Sequence, residues 1–139
     1  MKILSASPYY ASTALTLVRI VVGVFIAIHG SEIFNPEKMK MYTGWMFERE
    51  LPLASILAYI GKGCQLVGGI FLSLGFLTRL ASFALILTMS FITFGIGNGK
   101  FWMEDQHPFL FVMFALLFLF LGGGDFSLDK KLFERYPIK

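Results

Sequence analysis

Residues 53–74 read LASILAYIGKGCQLVGGIFLSL, an apolar run broken by a single charge, Lys62. A membrane-crossing helix needs about 20 mostly apolar residues, within a range of roughly 17–25. This run has that length. It carries glycine and serine at helical spacing, and it ends at a Gly75 turn. Three more apolar stretches flank it, at about 11–30, 77–97 and 108–123. The last is the shortest. Residues 109–121 hold no polar group, and a turn added at either end gives it spanning length.

The composition agrees. The chain has 139 residues, 56% hydrophobic and 15% charged, with sixteen Phe and a mean hydropathy of +0.70. Soluble domains carry about 25% charged residues. A small soluble domain has much surface for its volume and must cover it with polar groups. This chain lacks them, so lipid is its solvent. One all-α domain over 1–139 is expected, an integral membrane bundle of four helices.

The connections differ in character. Residues 31–52 form the long one. After Asn35-Pro36, a turn signal, it sets Met39, Tyr42, Trp45 and Met46 at helical spacing among charges. That pattern predicts a short amphipathic helix in the membrane interface. Residues 75–78 are a tight turn, and residues 98–107 a short polar loop. No cleavage pattern precedes the first apolar run, so that helix is expected to act as its own insertion signal.

Net charge is +3. The basic residues are scattered and form no stripe, which argues against nucleic acid as a partner. They bear on topology instead. Lys2, Arg79, Lys130, Lys131, Arg135 and Lys139 fall on one side, and Lys38, Lys40, Arg49 and Lys100 on the other. A six-to-four bias predicts that both termini are cytoplasmic. Cys64 is the only cysteine. It excludes an intramolecular disulfide, a CxxC pair and a thiolate cluster. It also excludes the disulfide cycle of vitamin K epoxide reductase–like chemistry within one chain.

Bundles in lipid are held by close backbone approach and interhelical hydrogen bonds. Gly61, Gly63, Gly68, Gly69 and Ser73 suit that role, as do Gly23 and Gly30. Ionisable groups at membrane depth each call for a partner or a role. Arg19 lies about two turns into the first helix. It can snorkel to the headgroups, or pair with Asp125 or Asp129 on the same side. Lys62 lies deeper. Gln65 and Gly69 share its helix face, giving a polar spot beside bare backbone. Burial disfavours a charged amine, so Lys62 is a candidate hydrogen-bond donor and proton-exchanging group. The opposing structural reading is a clamp to Ser or Thr of the third apolar helix.

A second constellation gathers at the outer ends, where His29 and Glu32 are three apart, as are Glu104 and His107. His and carboxylate at that spacing on facing helices can hold a metal. An aromatic and polar headgroup belt accounts for these residues better, so Glu32, Glu104 and His107 are weak metal candidates. His29 is in addition a candidate proton relay. No haem-ligand pair, flavin motif or iron–sulfur cysteine set is present.

The first helix has Arg19, Gly23 and His29-Gly30. The second has Gln65, Gly68-Gly69 and the run Leu74-Gly75-Phe76-Leu77-Thr78-Arg79. The fourth ends in Gly122-Gly123-Gly124-Asp125-Phe126-Ser127-Leu128-Asp129. Together these resemble the DoxX family of small bacterial membrane proteins, over roughly residues 15–129. The resemblance implies a four-helix bundle in the bacterial inner membrane. It also implies a link to respiratory or sulfur redox chemistry, through members tied to quinone reduction and thiosulfate oxidation. Family members usually place Glu where this chain has Gln65, and seldom have a Lys three residues earlier. A role that needs that carboxylate is therefore not carried over.

The function expected is a quinone-linked subunit or partner of a membrane oxidoreductase. Lys62, Gln65 and Gly69 would face the quinone, with His29 and Arg19 assisting. A membrane or soluble redox protein would supply electrons, and copies of the same chain are further candidate partners. The alternatives are a non-catalytic assembly or scaffold subunit and a small-molecule carrier. The carrier is the weaker of the two, because the chain has no inverted repeat and no broken midplane helix.

Overall fold

The computed structural model describes residues 10–134. Lys2, Arg135 and Lys139, part of the charge count above, lie outside them. The described chain is helical: α1 (Ala11–Ser31), a single 3-10 turn (Glu32–Phe34), α2 (Pro36–Glu48), α3 (Ala54–Leu74), α4 (Thr78–Ser90), a π-helical continuation (Phe91–Ile96) and α5 (Gln106–Leu121). Among the described residues there is no strand.

Three segments are long and apolar enough to cross a membrane: Ala11–Phe34, Ala54–Leu74 and Thr78–Ile96. The chain is thus a multi-pass membrane protein. The fourth expected span, 108–123, keeps its length but begins two residues earlier. α5 has 16 residues, about 24 Å at 1.5 Å per residue, against a hydrocarbon core of about 30 Å. The added C-terminal turn does not form, because Gly122 leaves the helix at φ 72°.

The third expected helix also departs from regularity, widening into π turns after Ser90. The Gly97 N–H donates to the Ile92 carbonyl at 2.8 Å and the Gly99 N–H to Thr93 at 3.0 Å. Asp105 then closes the loop by accepting from the N–H groups of Asn98 (2.9 Å) and Lys100 (3.0 Å).

The amphipathic helix forms as the spacing predicts. Asn35 caps it, its side chain accepting from the Glu37 and Lys38 N–H groups, and Pro36 opens the first turn. That position suits proline, since first-turn N–H groups have no helical acceptor. Met39 and Met46 are buried against Ala54 and Ala58 of α3. α2 is therefore docked on the bundle as well as lying at its edge.

The main core joins Ile26 of α1, Leu72 of α3, Leu85 and Met89 of α4, and Phe111, Ala115 and Phe118 of α5. α1 and α3 meet backbone to backbone. A Cβ on Gly69 would lie 2.4 Å from the Ala27 nitrogen, and one on Gly23 would lie 2.5 Å from that of Ser73. Lipid gives helices no hydrophobic drive to associate, so this close approach is what holds them together.

Candidate functional site

The two buried cations lie at opposite ends of the bundle. Arg19 is 1% exposed. Its Nη1 donates to the Gly123 carbonyl, and its Nη2 to that of Phe126 at 3.0 Å. The segment that Arg19 holds is tied down further. Ser127 Oγ donates to the Gly124 carbonyl at 2.7 Å. The Asp129 carboxylate accepts from the N–H groups of Leu77 (2.6 Å) and Thr78 (2.8 Å), at the start of α4. The Asp129 N–H donates to the Gly75 carbonyl at 2.9 Å. Gly75 itself has φ 68°, and a Cβ there would meet the Arg19 guanidinium carbon at 2.8 Å. Arg19 thus latches the α3–α4 turn to the chain after α5. Of the two expected fates, snorkelling and a carboxylate pair, neither forms: two carbonyls take the guanidinium, and Arg19 does not line the cavity beside this turn, whose walls include Gly123, Ser127 and Asp129.

Lys62 is the ninth residue of α3, about 12 Å from the helix start. Its ammonium donates to Glu32 Oε2 at 2.8 Å, to the His29 carbonyl at 3.2 Å and to Gln65 Oε1 at 3.3 Å. It also lies 4.1 Å from the centre of the Tyr42 ring. The clamp expected to Ser or Thr of the third apolar helix is therefore not the one that forms. The partner is Glu32, reached from the end of α1. Glu32 also pairs with Lys38 at 2.6 Å and accepts from the Tyr42 hydroxyl. Burial, together with the bond to Glu32, pushes the Tyr42 phenol above the usual tyrosine range.

Beside Lys62 lies a cavity of about 200 Å³. Its polar lining residues are Lys62, Gln65, His29, His107, Tyr42 and Thr88, and the rest is mainly apolar and aromatic, with Trp45 and Phe111 prominent. The π turns after Ser90 contribute Phe91, Ile92 and Ile96. Such turns inside helices often mark functional sites. The His29 and His107 rings meet edge to face, 5.0 Å between centres.

The structure therefore divides the residues singled out from sequence. Lys62, Gln65, His29 and His107 come together around one cavity, with Glu32 just behind Lys62. Gly69 does not join them, since its open face is filled by α1. Arg19 belongs to the latch. Glu104 is exposed in the 98–107 loop, beside Lys100 and Asn98. Among the described residues no group of three or more His, Cys, Asp or Glu is placed to hold a metal ion. Sequence reasoning read Tyr42 and Trp45 as interfacial anchors and missed them as cavity walls. Their helical register with the buried Met39 and Met46 was the available signal.

The DoxX family model matches residues 14–98. A protein of Haemophilus influenzae, described as uncharacterized, is 31% identical over 137 residues, with 92% of this chain and 94% of that protein covered. No solved structure matches the chain.

Proposed function

The chain belongs to the DoxX family, and from that premise we propose that it is a quinone-linked protein of the bacterial inner membrane, serving an oxidoreductase system. The observation that carries the reading is the cavity beside Lys62. Its size favours a single ring, since pockets for drug-sized ligands run from about 300 to 1,000 Å³. Its walls are apolar, and its few donors converge at one end. A quinone needs that combination of an apolar slot and one or two donors to its carbonyls.

In this reading one carbonyl accepts from the Gln65 amide. It also takes one Lys62 N–H in place of the longer contacts at 3.2 and 3.3 Å. The 2.8 Å bond to Glu32 keeps the ammonium compensated meanwhile. Reduction of a quinone to a quinol takes two electrons and two protons. The electrons come from a partner redox protein. The protons enter by His29 and His107 at the mouth. In this reading both termini are cytoplasmic, in line with the six-to-four charge bias, and the cavity lies toward the outer face.

Trp45 lines the cavity and Trp102 does not. A Trp102→Phe variant therefore leaves one tryptophan, at the site. Quinones quench tryptophan emission on contact. Titration with a decyl-benzoquinone is expected to give saturable quenching that Lys62→Met weakens at least tenfold. Quenching that rises without saturation and is unchanged by Lys62→Met would rule the reading out. It would favour a non-catalytic assembly subunit.

A further inference from the structure

We infer that Gly61 and Thr88 form a side entrance from the lipid core into this cavity, through which a membrane-dissolved amphiphile inserts its ring while its hydrocarbon chain lies in the α3–α4 seam. The inference rests on the quinone reading of the cavity and adds the route and the tail to it.

Glycine weakens a helix interior relative to alanine, and the glycines of α3 differ in what their missing side chains make room for. At Gly69 a Cβ would run into α1 backbone. Gly68 faces Leu85, whose side-chain carbons would lie 3.0 Å from such a Cβ. Gly61 is different. A Cβ there would meet only the Thr88 Cγ2, at 4.0 Å. No neighbouring backbone needs the space. What Gly61 faces is the cavity, which it lines together with Leu57, Thr88, Phe91 and Ile92.

The opposite lip is apolar for a definable reason. Thr88 Oγ1 is turned away, donating to the Ala84 carbonyl at 2.9 Å and lying 3.1 Å from Cys64 Sγ. Its methyl group is left toward Gly61. Gly61, Leu57 and Thr88 are partly exposed and Phe91 is 37% exposed, all on membrane-spanning helices. The seam therefore opens to lipid. A cavity of about 200 Å³ has room for a ring and not for a long tail. The tail must stay outside, and the seam is an apolar exit at the depth of the ring.

Gly63 provides an internal control. A Cβ there meets only Ile33 Cδ1, at 3.8 Å, and Gly63 does not line the cavity. In the Trp102→Phe background, Trp45 quenching is measured for two ligands. One is a decyl-benzoquinone, and the other a tailless, water-soluble benzoquinone with the same ring. Gly61→Leu is expected to weaken the decyl ligand tenfold or more and the tailless one less than threefold. Gly63→Leu should change neither. Thr88→Leu, on the other lip, repeats the test where Gly61→Leu does not fold. Unchanged affinity for both ligands in the lip variants, or equal loss of both, overturns the entrance while leaving the cavity reading standing. Failure of the parent protein to bind either ligand overturns both.

Discussion

Arg19 and Lys62 are the same kind of anomaly, a cation inside an apolar bundle, and the structure resolves them in opposite ways. Arg19 is locked by two carbonyls of a tight turn and surrounded by backbone. Its planar fork matches fixed acceptors, which is what guanidinium does best. Lys62 carries one strong partner, Glu32, two longer contacts, and a cavity at its side. The lesson is that depth alone does not mark a functional charge. What marks it is unfilled space next to donors that can change partners.

The sharpest way to break this contrast is to remove each cation in turn. Arg19→Met leaves the buried Gly123 carbonyl without its donor, at about 1–3 kcal/mol, and removes the part-buried bond to the Phe126 carbonyl as well. The latch should fail, with a large drop in melting temperature or loss of the monodisperse protein on size exclusion. Lys62→Met should be milder in stability, because Glu32 keeps Lys38 and Tyr42 as partners. Its damage should appear in ligand affinity. If both variants lose stability equally, Lys62 is a clamp after all and the contrast is gone.

Asp129→Asn tests the latch from its other side. It weakens the cap on the α4 N-terminus, and losses at such caps run to about 0.5–2 kcal/mol. Melting should fall by an intermediate amount, with quinone affinity unchanged. A change in affinity would mean that the two ends communicate.

The Tyr42 phenol gives a smaller effect with a definite sign. Its proton is held more tightly in the folded protein. Its contribution to stability is therefore complete below the ordinary tyrosine value, about 10, and is lost as pH rises through the folded value. The phenolate absorbance that Tyr42→Phe removes should develop later than that of a free tyrosine. Normal titration of that phenol would mean that it is not bonded to Glu32.

The smallest effect belongs to the exposed Asp125–Lys130 pair. The hydrogen bond from Lys130 lowers the Asp125 carboxyl below the usual range. The stability it lends is present above the unfolded value and lost as pH falls through the folded one. Exposed pairs of this kind contribute little. Asp125→Asn should leave melting at pH 7 nearly unchanged, and a large shift would tie this pair into the latch.

Much of this was legible in the residues. Apolar run lengths gave the helices, and Asn35-Pro36 with the Met39–Met46 spacing gave α2. The depth of Lys62 pointed to the cavity. Three features were not legible, each for a physical reason. The Lys62–Glu32 pair joins residues thirty positions apart, and sequence periodicity reports only one helix at a time. Gly69 and Gly61 look alike in a sequence, and only the neighbouring helix tells a packing glycine from an open one. The π turns rest on wide backbone bonds such as that from the Gly97 N–H to the Ile92 carbonyl, which composition does not record.

The central claim is that a ring-bearing ligand occupies the space beside Lys62. An azido-benzoquinone photolabel with a decyl tail, applied to the protein in bilayers and mapped by mass spectrometry, addresses it directly. The account predicts label concentrated on residues 57–65 and 88–92, competed away by unlabelled quinone and lost in Lys62→Met. Label spread over the outer, lipid-facing residues of all helices, with no competition, would contradict it.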